Sequence, residues 1–346
     1  KTAIAGLPFD ELAARLAPLP RFRPAQIFRW IAAGITTFDE MSDLPLSLRE
    51  ELKGRFLLRE SRVDKRLDGG DGTVKLAIGL AGGAMVEAVL LRDGRNRRTA
   101  CLSTQAGCPA ACVFCKTGSL GFLRNLTAAE IVEQFLFLRE AAEREGQAID
   151  NIVVMGMGEP LLNLAELRRA LAVISAKEGM CFSKRRITVS TCGISGGITD
   201  IAGNGPDVRL ALSLTTADEY LRRRLMPITA AYPLAGVKEA LAYFQQKGGG
   251  RLTLEAALLG GVNTRSEDAA AFARFARGLD TVVNLIPWNP VKGLKFEGKD
   301  LREPTEREIE YFAARLEAQG LNVTRRFRKG RSVMGSCGQL GVLVGQ

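Results

Sequence analysis

Three closely spaced cysteines carry the strongest chemical signal in the chain. They lie in QAGCPAACVFCKTG, residues 105–118, with C-x3-C-x2-C spacing: Cys108, Cys112 and Cys115. Thiolates bind iron–sulfur clusters and zinc well, and they bind oxygen-preferring cations poorly. A structural zinc site needs four ligands, and the fourth available is Cys101 or a more distant cysteine, because the chain contains no histidine. A cubane cluster bound by three cysteines leaves one iron open to an exogenous ligand, so the count of three favours a catalytic cluster.

The composition is that of an ordinary enzyme with an excess of basic residues. Of its 346 residues, 46% are hydrophobic and 25% are charged. No apolar run approaches the roughly 18–20 residues that cross a bilayer, so we expect no membrane association. Seven cysteines, an odd number without an export signal, favour metal or catalytic use in the cytoplasm over a disulfide framework. The net charge of +10 suits a polyanionic partner such as nucleic acid.

Residues 1–60 predict a small helical accessory domain. A helix is expected to begin near Pro24 in FRPAQIFRWI, because proline is tolerated in a first helical turn. Basic Arg21, Arg23 and Arg29 surround the apolar residues of this helix. They form either the solvated rim of a packed cap or an RNA-docking surface.

Residues 61–97 predict a β-hairpin that links the helical domain to the rest of the chain. Apolar residues alternate from Val74 to Leu80, an Ala-Gly-Gly turn follows, and MVEAVLL forms the second arm. Glu87 lies in this second arm, and its residue type alone indicates an exposed strand position.

From residue 98 onward the sequence repeats a strand, a loop and a helix. Thr127 and Glu130 form a capping box that predicts a helix start, and helical patterns are expected at Leu164 to Ser175, Leu234 to Gln246 and Ser266 to Leu279. The strands NIVVM, RITVS, VRLALSL, LTLEAALL and VVNLIP are each followed by a polar or glycine-rich loop. Such βα units predict an α/β fold with a parallel sheet that is curved or closed into a barrel. In these barrels the chemistry lies at the carboxyl ends of the strands, where this chain places GMGEP, STCG, SLTT and PWNP. This coincidence favours an enzyme over a structural metalloprotein.

The cysteine motif in the loop after a first barrel strand resembles that of the radical S-adenosylmethionine (SAM) superfamily, including Phe114 before its third cysteine. More specifically, the chain is similar to the RlmN/Cfr family of RNA adenosine methyltransferases. The match extends over nearly the whole chain in family order. The strings that carry it are FRPAQIFRW, CLSTQAGC, TGSLGFLRNLTAAEIVEQ, VVMGMGEPLLN, SKRRITVSTCGI, LMPI, NLIPWNP and SCGQL.

This resemblance implies a partial (βα)6 TIM-type barrel over residues 98–346 and two cofactors. Cys108, Cys112 and Cys115 would hold a 4Fe-4S cluster whose open iron binds SAM. Other residues would contact SAM at neighbouring strand ends: Gly158, Glu159, Ser190, Ser213, Leu214, Thr215 and Asn289.

The resemblance also implies three catalytic residues outside the cluster loop. Cys337 in GSCGQL, which by type alone predicts a small buried hydrophobe, would carry the methyl group as S-methylcysteine. Cys101 would be a second reactive cysteine that closes a disulfide with Cys337. Glu87 would be the proton acceptor, allowing for one extra residue before Cys101. Cys181 and Cys192 have no such counterpart and are interpreted as packing residues.

The implied function is radical methylation of carbon 2 of an adenosine in 23S rRNA, with tRNA as a further candidate substrate. A SAM-derived 5'-deoxyadenosyl radical would abstract hydrogen from the S-methyl group, and the cofactor would supply this difficult step. The implied partners are RNA and an electron donor such as flavodoxin or ferredoxin, with the enzyme acting as a monomer. Three alternatives stay open: methylation at carbon 8, a zinc-stabilised RNA-binding protein without catalysis, and a diverged radical-SAM enzyme with another substrate.

Two positions depart from the family pattern. Thr215 stands where the family usually has histidine, and threonine offers less reach and no ring. Arg331 and Ser332 replace the usual acidic stretch before the C-terminal cysteine motif, which changes the charge expected near Cys337.

Overall fold

The computed structural model of the protein describes residues 1–20, 22–325, 330–341 and 343. Arg21, one of the basic residues predicted for the helical rim, lies outside this part, as does the side chain of Arg331.

The α-helices are, in chain order, α1 (Phe9–Arg15), α2 (Phe22–Ala33), α3 (Leu46–Arg55), α4 (Lys116–Ser119), α5 (Ala128–Glu143), α6 (Leu164–Ser175), α7 (Ser195–Asn204), α8 (Glu219–Leu225), α9 (Leu234–Gln246), α10 (Ser266–Ala276) and α11 (Glu306–Glu317). The strands are β1 (Thr2–Ala3), β2 (Phe56–Leu57), β3 (Arg62–Asp68), β4 (Val74–Gly79), β5 (Met85–Arg92), β6 (Arg98–Cys101), β7 (Gln105–Gly107), β8 (Phe122–Asn125), β9 (Asn151–Val154), β10 (Ile187–Thr191), β11 (Arg209–Ser213), β12 (Leu252–Leu258), β13 (Thr281–Pro287), β14 (Lys295–Phe296), β15 (Lys299–Asp300) and β16 (Val323–Arg325).

One ten-stranded sheet organises the molecule, in the order β16-β13-β12-β11-β10-β9-β6-β5-β4-β3. All neighbouring pairs from β16 to β6 are parallel, whereas β6, β5, β4 and β3 pair antiparallel. Helices follow the parallel strands, so the carboxyl ends of these strands lie along one edge of the sheet. The predicted α/β fold with a partial (βα)6 barrel is confirmed.

The predicted hairpin is present, and it belongs to the same sheet. Its arms β4 and β5 pair antiparallel from Val74 opposite Leu90 to Gly79 opposite Met85. β5 also pairs with β6, where Val89 lies opposite Cys101. Since β5 has a partner strand on each side, its polar side chains are placed within the fold rather than at a free edge.

Helix boundaries largely follow the local sequence signals. The predicted capping box joins Thr127 and Glu130 at the start of α5. α6 and α9 have the expected bounds. α10 ends at Ala276 instead of the expected Leu279, because Arg277 turns to an extended ψ of 128°.

The N-terminal helices pack on the outside of the barrel. α2 begins at Phe22, so Pro24 lies in its first turn as expected. Glu11 of α1 forms an ion pair of 2.8 Å with Arg169 of α6. Arg29 remains exposed on the outer surface. Within the described residues, no helix combines the length and apolarity needed to cross a membrane.

Candidate active site

A cavity opens at the carboxyl ends of the parallel strands. It contains about 1050 Å3 of empty space, part of which is continuous with solvent. Several residues predicted for the site line it together: Cys108, Cys112, Cys115, Gly158, Glu159, Ser190, Ser213, Thr215, Asn289 and Cys337. Concave sites of this size with a few converging polar groups are the usual form of ligand pockets.

The cysteine loop is fixed in place by backbone contacts. The Cys108 N–H donates to the carbonyl of Gly121 at 2.8 Å, and the Cys115 N–H donates to the carbonyl of Cys112 at 3.2 Å. A β-carbon at Gly118 would lie 2.7 Å from the Cys112 carbonyl oxygen, so only glycine fits there. The loop therefore presents its three thiols from a defined backbone.

The chemistry of these thiols fits a cluster better than a single ion. Burial raises the pKa of the Cys108 thiol to about 12. Burial also raises the pKa of Cys112 and Cys115, with further contributions from neighbouring cysteines. Three thiolates would repel one another in this pocket unless a cationic group bound them. Among the described residues, no three His, Cys, Asp or Glu side chains converge on one point that could hold a metal ion. Cys108, Cys112 and Cys115 could hold a cluster of several irons without converging on one point.

Glu159 and its neighbour Gly158 form a tight turn at the end of β9. The Glu159 carboxylate accepts N–H bonds from Leu161 at 3.0 Å and Cys192 at 2.7 Å. Burial raises its pKa, while these bonds oppose the rise. Gly158 has a φ of 102°, and a β-carbon there would lie 2.6 Å from the Gln105 side chain. The carboxylate is thereby held against the cavity wall.

Three neighbouring strands place a polar cluster on the opposite wall. Ser190 donates to Glu255 at 3.1 Å, Ser213 lies 3.1 Å from Ser190, and Ser213 lies 3.5 Å from Glu255. Glu255 is 6% exposed and lines the cavity. Sequence reasoning missed it, although a glutamate inside the apolar strand LTLEAALL was an available signal.

Thr215 lies beside this cluster in a constrained conformation. Its φ is 61°, which is uncommon for a β-branched residue. Its N–H donates to the Glu255 carbonyl at 3.0 Å, and its own carbonyl accepts from the Asn263 side chain at 2.9 Å. Leu214 does not line the cavity, because its side chain is fully buried in the core. The backbone of Leu214 is engaged within the protein, since its N–H donates to the Leu212 carbonyl at 2.8 Å.

Arg222 is a second residue that the sequence reasoning missed. Its guanidinium is fully buried and donates to the carbonyls of Leu214 at 3.1 Å and Cys192 at 2.6 Å. Burial lowers its pKa. It therefore ties the ends of two strands together just behind the cavity wall.

Asn289 and Trp288 connect the end of β13 to the cysteine motifs. The Asn289 side-chain nitrogen donates to the Cys337 carbonyl at 3.2 Å, and the Trp288 indole N–H donates to the Phe114 carbonyl at 2.8 Å. The other polar atom of Asn289, Oδ1, is buried without a hydrogen-bond partner among the described residues. An orphaned acceptor on a cavity wall fits a site built for a ligand with N–H or O–H donors.

The C-terminal segment, defined as residues 330–341 and 343, lies against the cysteine loop. The Lys116 N–H donates to the Gly338 carbonyl at 2.8 Å, and the Thr117 hydroxyl donates to the Leu340 carbonyl at 2.7 Å. Cys337 is half-buried and lines the same cavity as the three loop cysteines. The structure therefore brings together cysteines that are more than two hundred residues apart in sequence.

Cys101 and Glu87 lie outside the cavity lining. Cys101 ends β6, is 5% exposed, and has no disulfide to Cys337. The indication that Glu87 is exposed is wrong: its side chain is fully buried because β5 lies inside the sheet and the C-terminal segment covers it. Its carboxylate forms an ion pair of 2.6 Å with Lys75 and accepts the Leu343 N–H at 2.8 Å.

The remaining cysteines and the departures from the family pattern are placed as follows. The interpretation of Cys181 as a packing residue is wrong, since it is exposed. Cys192 is buried in the hydrophobic core, as a packing residue would be, and it also lines the cavity. Ser332 is exposed and lies near Gly69 in the β3–β4 turn. An acid from that turn, Asp71, accepts the Gly330 N–H at 2.8 Å.

Comparisons with known proteins agree with this site. The family model described as the Radical SAM superfamily matches residues 102–273, which include the cysteine loop and four of the strand ends. The model described as the ribosomal RNA large subunit methyltransferase N-terminal domain matches residues 14–58. The second match covers α2 and α3.

Relatives match over nearly the full length. A probable dual-specificity RNA methyltransferase RlmN from Treponema denticola is 49% identical, covering 99% of this chain and 96% of the relative. A protein of the same name from Thermus thermophilus is 40% identical, covering 97% of this chain and 94% of the relative. The crystal structure of a radical SAM methyltransferase from Sphaerobacter thermophilus is 36% identical, with a TM-score of 0.93 and 99% of each chain covered. The chain therefore belongs to the RlmN/Cfr family of radical-SAM RNA methyltransferases.

Proposed function

We propose that the enzyme methylates carbon 2 of an adenosine in 23S rRNA, with tRNA as a second substrate. The observation that carries the proposal is the cavity in which Cys337 faces the three loop cysteines. The relatives from Treponema and Thermus, named dual-specificity RNA methyltransferases, support the choice of substrates. Carbon 2 of adenine is electron-poor and cannot attack a methyl donor as a nucleophile, so a radical enzyme is the suitable catalyst.

In this proposal the cysteine loop and the strand ends hold the two cofactors. Cys108, Cys112 and Cys115 hold a 4Fe-4S cluster, which supplies the electron that cleaves SAM when both are bound. The carboxylate of Glu159 suits the ammonium group of SAM, and the unpartnered Oδ1 of Asn289 offers a further acceptor. Ser190, Ser213 and Thr215 on the cavity wall are proposed as further polar contacts to SAM. Leu214, which the family resemblance also implies, would need to contact SAM from outside the lining.

Cys337 is proposed as the methyl carrier. Its thiol would pass its proton to solvent, and the sulfur would take a methyl group from SAM with S-adenosylhomocysteine as the leaving group, which gives S-methylcysteine inside the cavity. The position of Cys337 between Asn289 and the cysteine loop supports this role. The chain thereby holds the group to be transferred next to the place where the radical forms. The reacting groups are then already in proximity and do not have to meet by diffusion.

Cys101 and Glu87 have proposed roles that require the C-terminal segment to shift. Cys101 is to attack the Cys337 sulfur as a thiolate; the bond between that sulfur and the transferred carbon breaks with its electrons left on the product, and a Cys101–Cys337 disulfide forms. Glu87 is to accept the proton lost from the base. Cys101 is on β6 and Glu87 is on β5. Both residues lie outside the lining of the cavity. Glu87 contacts the segment directly through Leu343, so it is placed to respond when that segment moves.

RNA is proposed to bind along the rim of the cavity and the N-terminal helices. Tyr220 of α8 is 71% exposed, and the Arg224 guanidinium lies 5.3 Å from its ring centroid and 5.2 Å from that of Phe296. Arg224 also pairs with Glu297. α8 and β14 follow the strand ends that line the cavity, so this stack lies at the same edge of the sheet. Exposed aromatic rings stacked with arginine suit unpaired RNA bases.

The partners and location follow from the proposed reaction. The cluster requires an electron donor such as flavodoxin or ferredoxin. We propose that the enzyme acts in the cytoplasm, where its RNA substrates are found, and that it does so as a monomer.

The test is mass spectrometry of nuclease-digested 23S rRNA and tRNA, after reaction of the anaerobically reconstituted enzyme with SAM and a reductant. Formation of 2-methyladenosine supports the proposal, and 8-methyladenosine supports the carbon-8 alternative. Absence of both products, despite SAM cleavage, points to a diverged enzyme with another substrate. A colourless protein that carries stoichiometric zinc as its native metal and cleaves no SAM would support the zinc-stabilised RNA-binding alternative.

A further inference from the structure

A buried ion pair joins the two strands of the hairpin, outside the cavity. The side chains of Lys75 on β4 and Glu87 on β5 are 1% and 0% exposed, and Nζ lies 2.6 Å from Oε2. Lys75 pairs with Val89 in the sheet register and Glu87 pairs with Ala77. The two charges are therefore diagonal neighbours on one face of the sheet.

Both members of this pair also bind the backbone of the C-terminal segment. The Lys75 ammonium donates to the Met334 carbonyl at 3.0 Å. The Glu87 Oε1 accepts the Leu343 N–H at 2.8 Å. These two anchor points lie on either side of Cys337 along the chain. The pair thus holds the segment at both ends of the part that contains the cysteine.

Stability alone does not account for this arrangement. A buried ion pair loses the hydration of both charges, and apolar residues of the same volume commonly stabilise a fold as well or better. An apolar pair could not bind a carbonyl and an N–H at two defined points, whereas the ion pair does so with charge-assisted hydrogen bonds. The pair therefore contributes hydrogen bonds of defined direction, which fix the position of the backbone that it binds.

We propose that Lys75 and Glu87 act together as positioning residues that hold the C-terminal segment so that Cys337 faces the cavity. This inference rests on the proposed role of Cys337 as methyl carrier. It gives Lys75 a positioning role in the reaction. It gives Glu87 a positioning role as well, in addition to the proposed role as proton acceptor. Asp71, in the turn before β4, adds a third contact through the Gly330 N–H.

The experiment compares four variants of the full-length holoenzyme. K75M removes the ammonium and leaves the Glu87 carboxylate buried without its ion-pair partner. K75M/E87Q removes both charges and keeps an oxygen acceptor for the Leu343 N–H. K75R restores a cationic donor. E133A is the matched control, because Glu133 is another fully buried carboxylate that accepts backbone N–H bonds, from Glu60 at 2.9 Å and Ser61 at 2.8 Å.

Three quantities are measured for each variant: the unfolding temperature, SAM cleavage on reduction without RNA, and the fraction of Cys337 that carries a methyl group by peptide mass. We expect K75M to lose stability and at least tenfold of the Cys337 methylation. K75M/E87Q should regain stability, since no unpaired charge remains buried, yet keep the methylation loss because Met334 has lost its donor. K75R should recover much of the methylation. SAM cleavage in K75M and K75R should stay within about twofold of wild type, and E133A should lose stability only.

Recovery of both stability and Cys337 methylation in K75M/E87Q would overturn the inference, because the pair would then serve folding alone. A wild-type enzyme that never carries a methyl group on Cys337 would instead overturn the proposed carrier role. The first result is measured on K75M/E87Q and the second on the wild-type enzyme, so failure of the inference and failure of the carrier role can be distinguished.

Discussion

The side-chain nitrogen of Asn289 donates a hydrogen bond of 3.2 Å to the backbone carbonyl of Cys337, while its Oδ1 is buried without a partner among the described residues. One side chain therefore joins the C-terminal segment to the wall of the proposed SAM site. In the proposed function, binding of SAM and placement of Cys337 would therefore be linked through Asn289.

Substitution of Asn289 should separate these two effects. N289D keeps an oxygen acceptor and loses the N–H donor, so we expect nearly normal SAM binding but a reduced rate of Cys337 methylation. N289A loses both groups and should weaken SAM binding by about tenfold, which corresponds to about 1.4 kcal/mol. SAM affinity by equilibrium binding and Cys337 methylation by peptide mass give the two readings. Equal losses of SAM affinity in both variants would contradict this division.

Substitution of Glu255 should weaken SAM binding without affecting the cluster. The Glu255 carboxylate accepts the Ser190 hydroxyl at 3.1 Å, and the amide of E255Q is a poorer acceptor. We expect a three- to tenfold rise in the KM for SAM, on the order of 1 kcal/mol for a weakened hydrogen bond to a charged group. The iron content and the visible absorbance should be unchanged. Loss of the cluster in E255Q would show that Glu255 has a structural role instead.

The exposed stack on α8 should contribute to RNA binding. Removing the ring in Y220A is expected to raise the KM for RNA by about five- to tenfold, since base stacking on an aromatic ring contributes about 1–3 kcal/mol. Y220F keeps the ring and should bind RNA normally. Tyr311 is the matched control, because it is 43% exposed and also stacks with an arginine, Arg315, at 5.0 Å on α11. Equal effects of Y220A and Y311A on RNA binding would argue against a specific surface.

Burial of Glu133 should make the stability of the enzyme depend on pH. Burial raises its pKa from an ordinary value of 4.5 to about 7 in the folded state. The folded state therefore favours the protonated form, and its contribution to stability is lost as the pH rises from about 4.5 through 7. This rise in pKa corresponds to about 3 kcal/mol. The free energy of unfolding of E133Q relative to wild type should increase between pH 5 and pH 8. A difference that does not change over this range would contradict the prediction.

Local signals in the sequence predicted much of the fold. Apolar runs followed by polar loops gave the parallel strands, and Thr127 with Glu130 gave the start of α5. The alternation from Val74 predicted the hairpin. These features depend on neighbouring residues, so a single sequence contains them.

The parts of the site that the sequence did not predict depend on contacts between distant residues. Glu255 becomes a wall residue because it lies in register with Ser213 on the next strand. Glu87 has the sequence environment of an exposed position, but Lys75 and Leu343 bury and bind its carboxylate. Neither arrangement leaves a periodic pattern in the chain. The resemblance to the family implies a role for Glu87, whereas only the structure shows its ion-pair partner Lys75.

The most direct test of the proposed function follows the methyl group itself. Enzyme whose Cys337 carries an isotopically labelled methyl group is mixed with RNA, unlabelled SAM and a reductant for a single turnover, and the methyladenosine product is analysed by mass spectrometry. If Cys337 is the carrier, the first product contains carbon and hydrogen from the labelled group, and C337A makes no product. Unlabelled product from the labelled enzyme, or normal RNA methylation by C337A, would contradict the proposal.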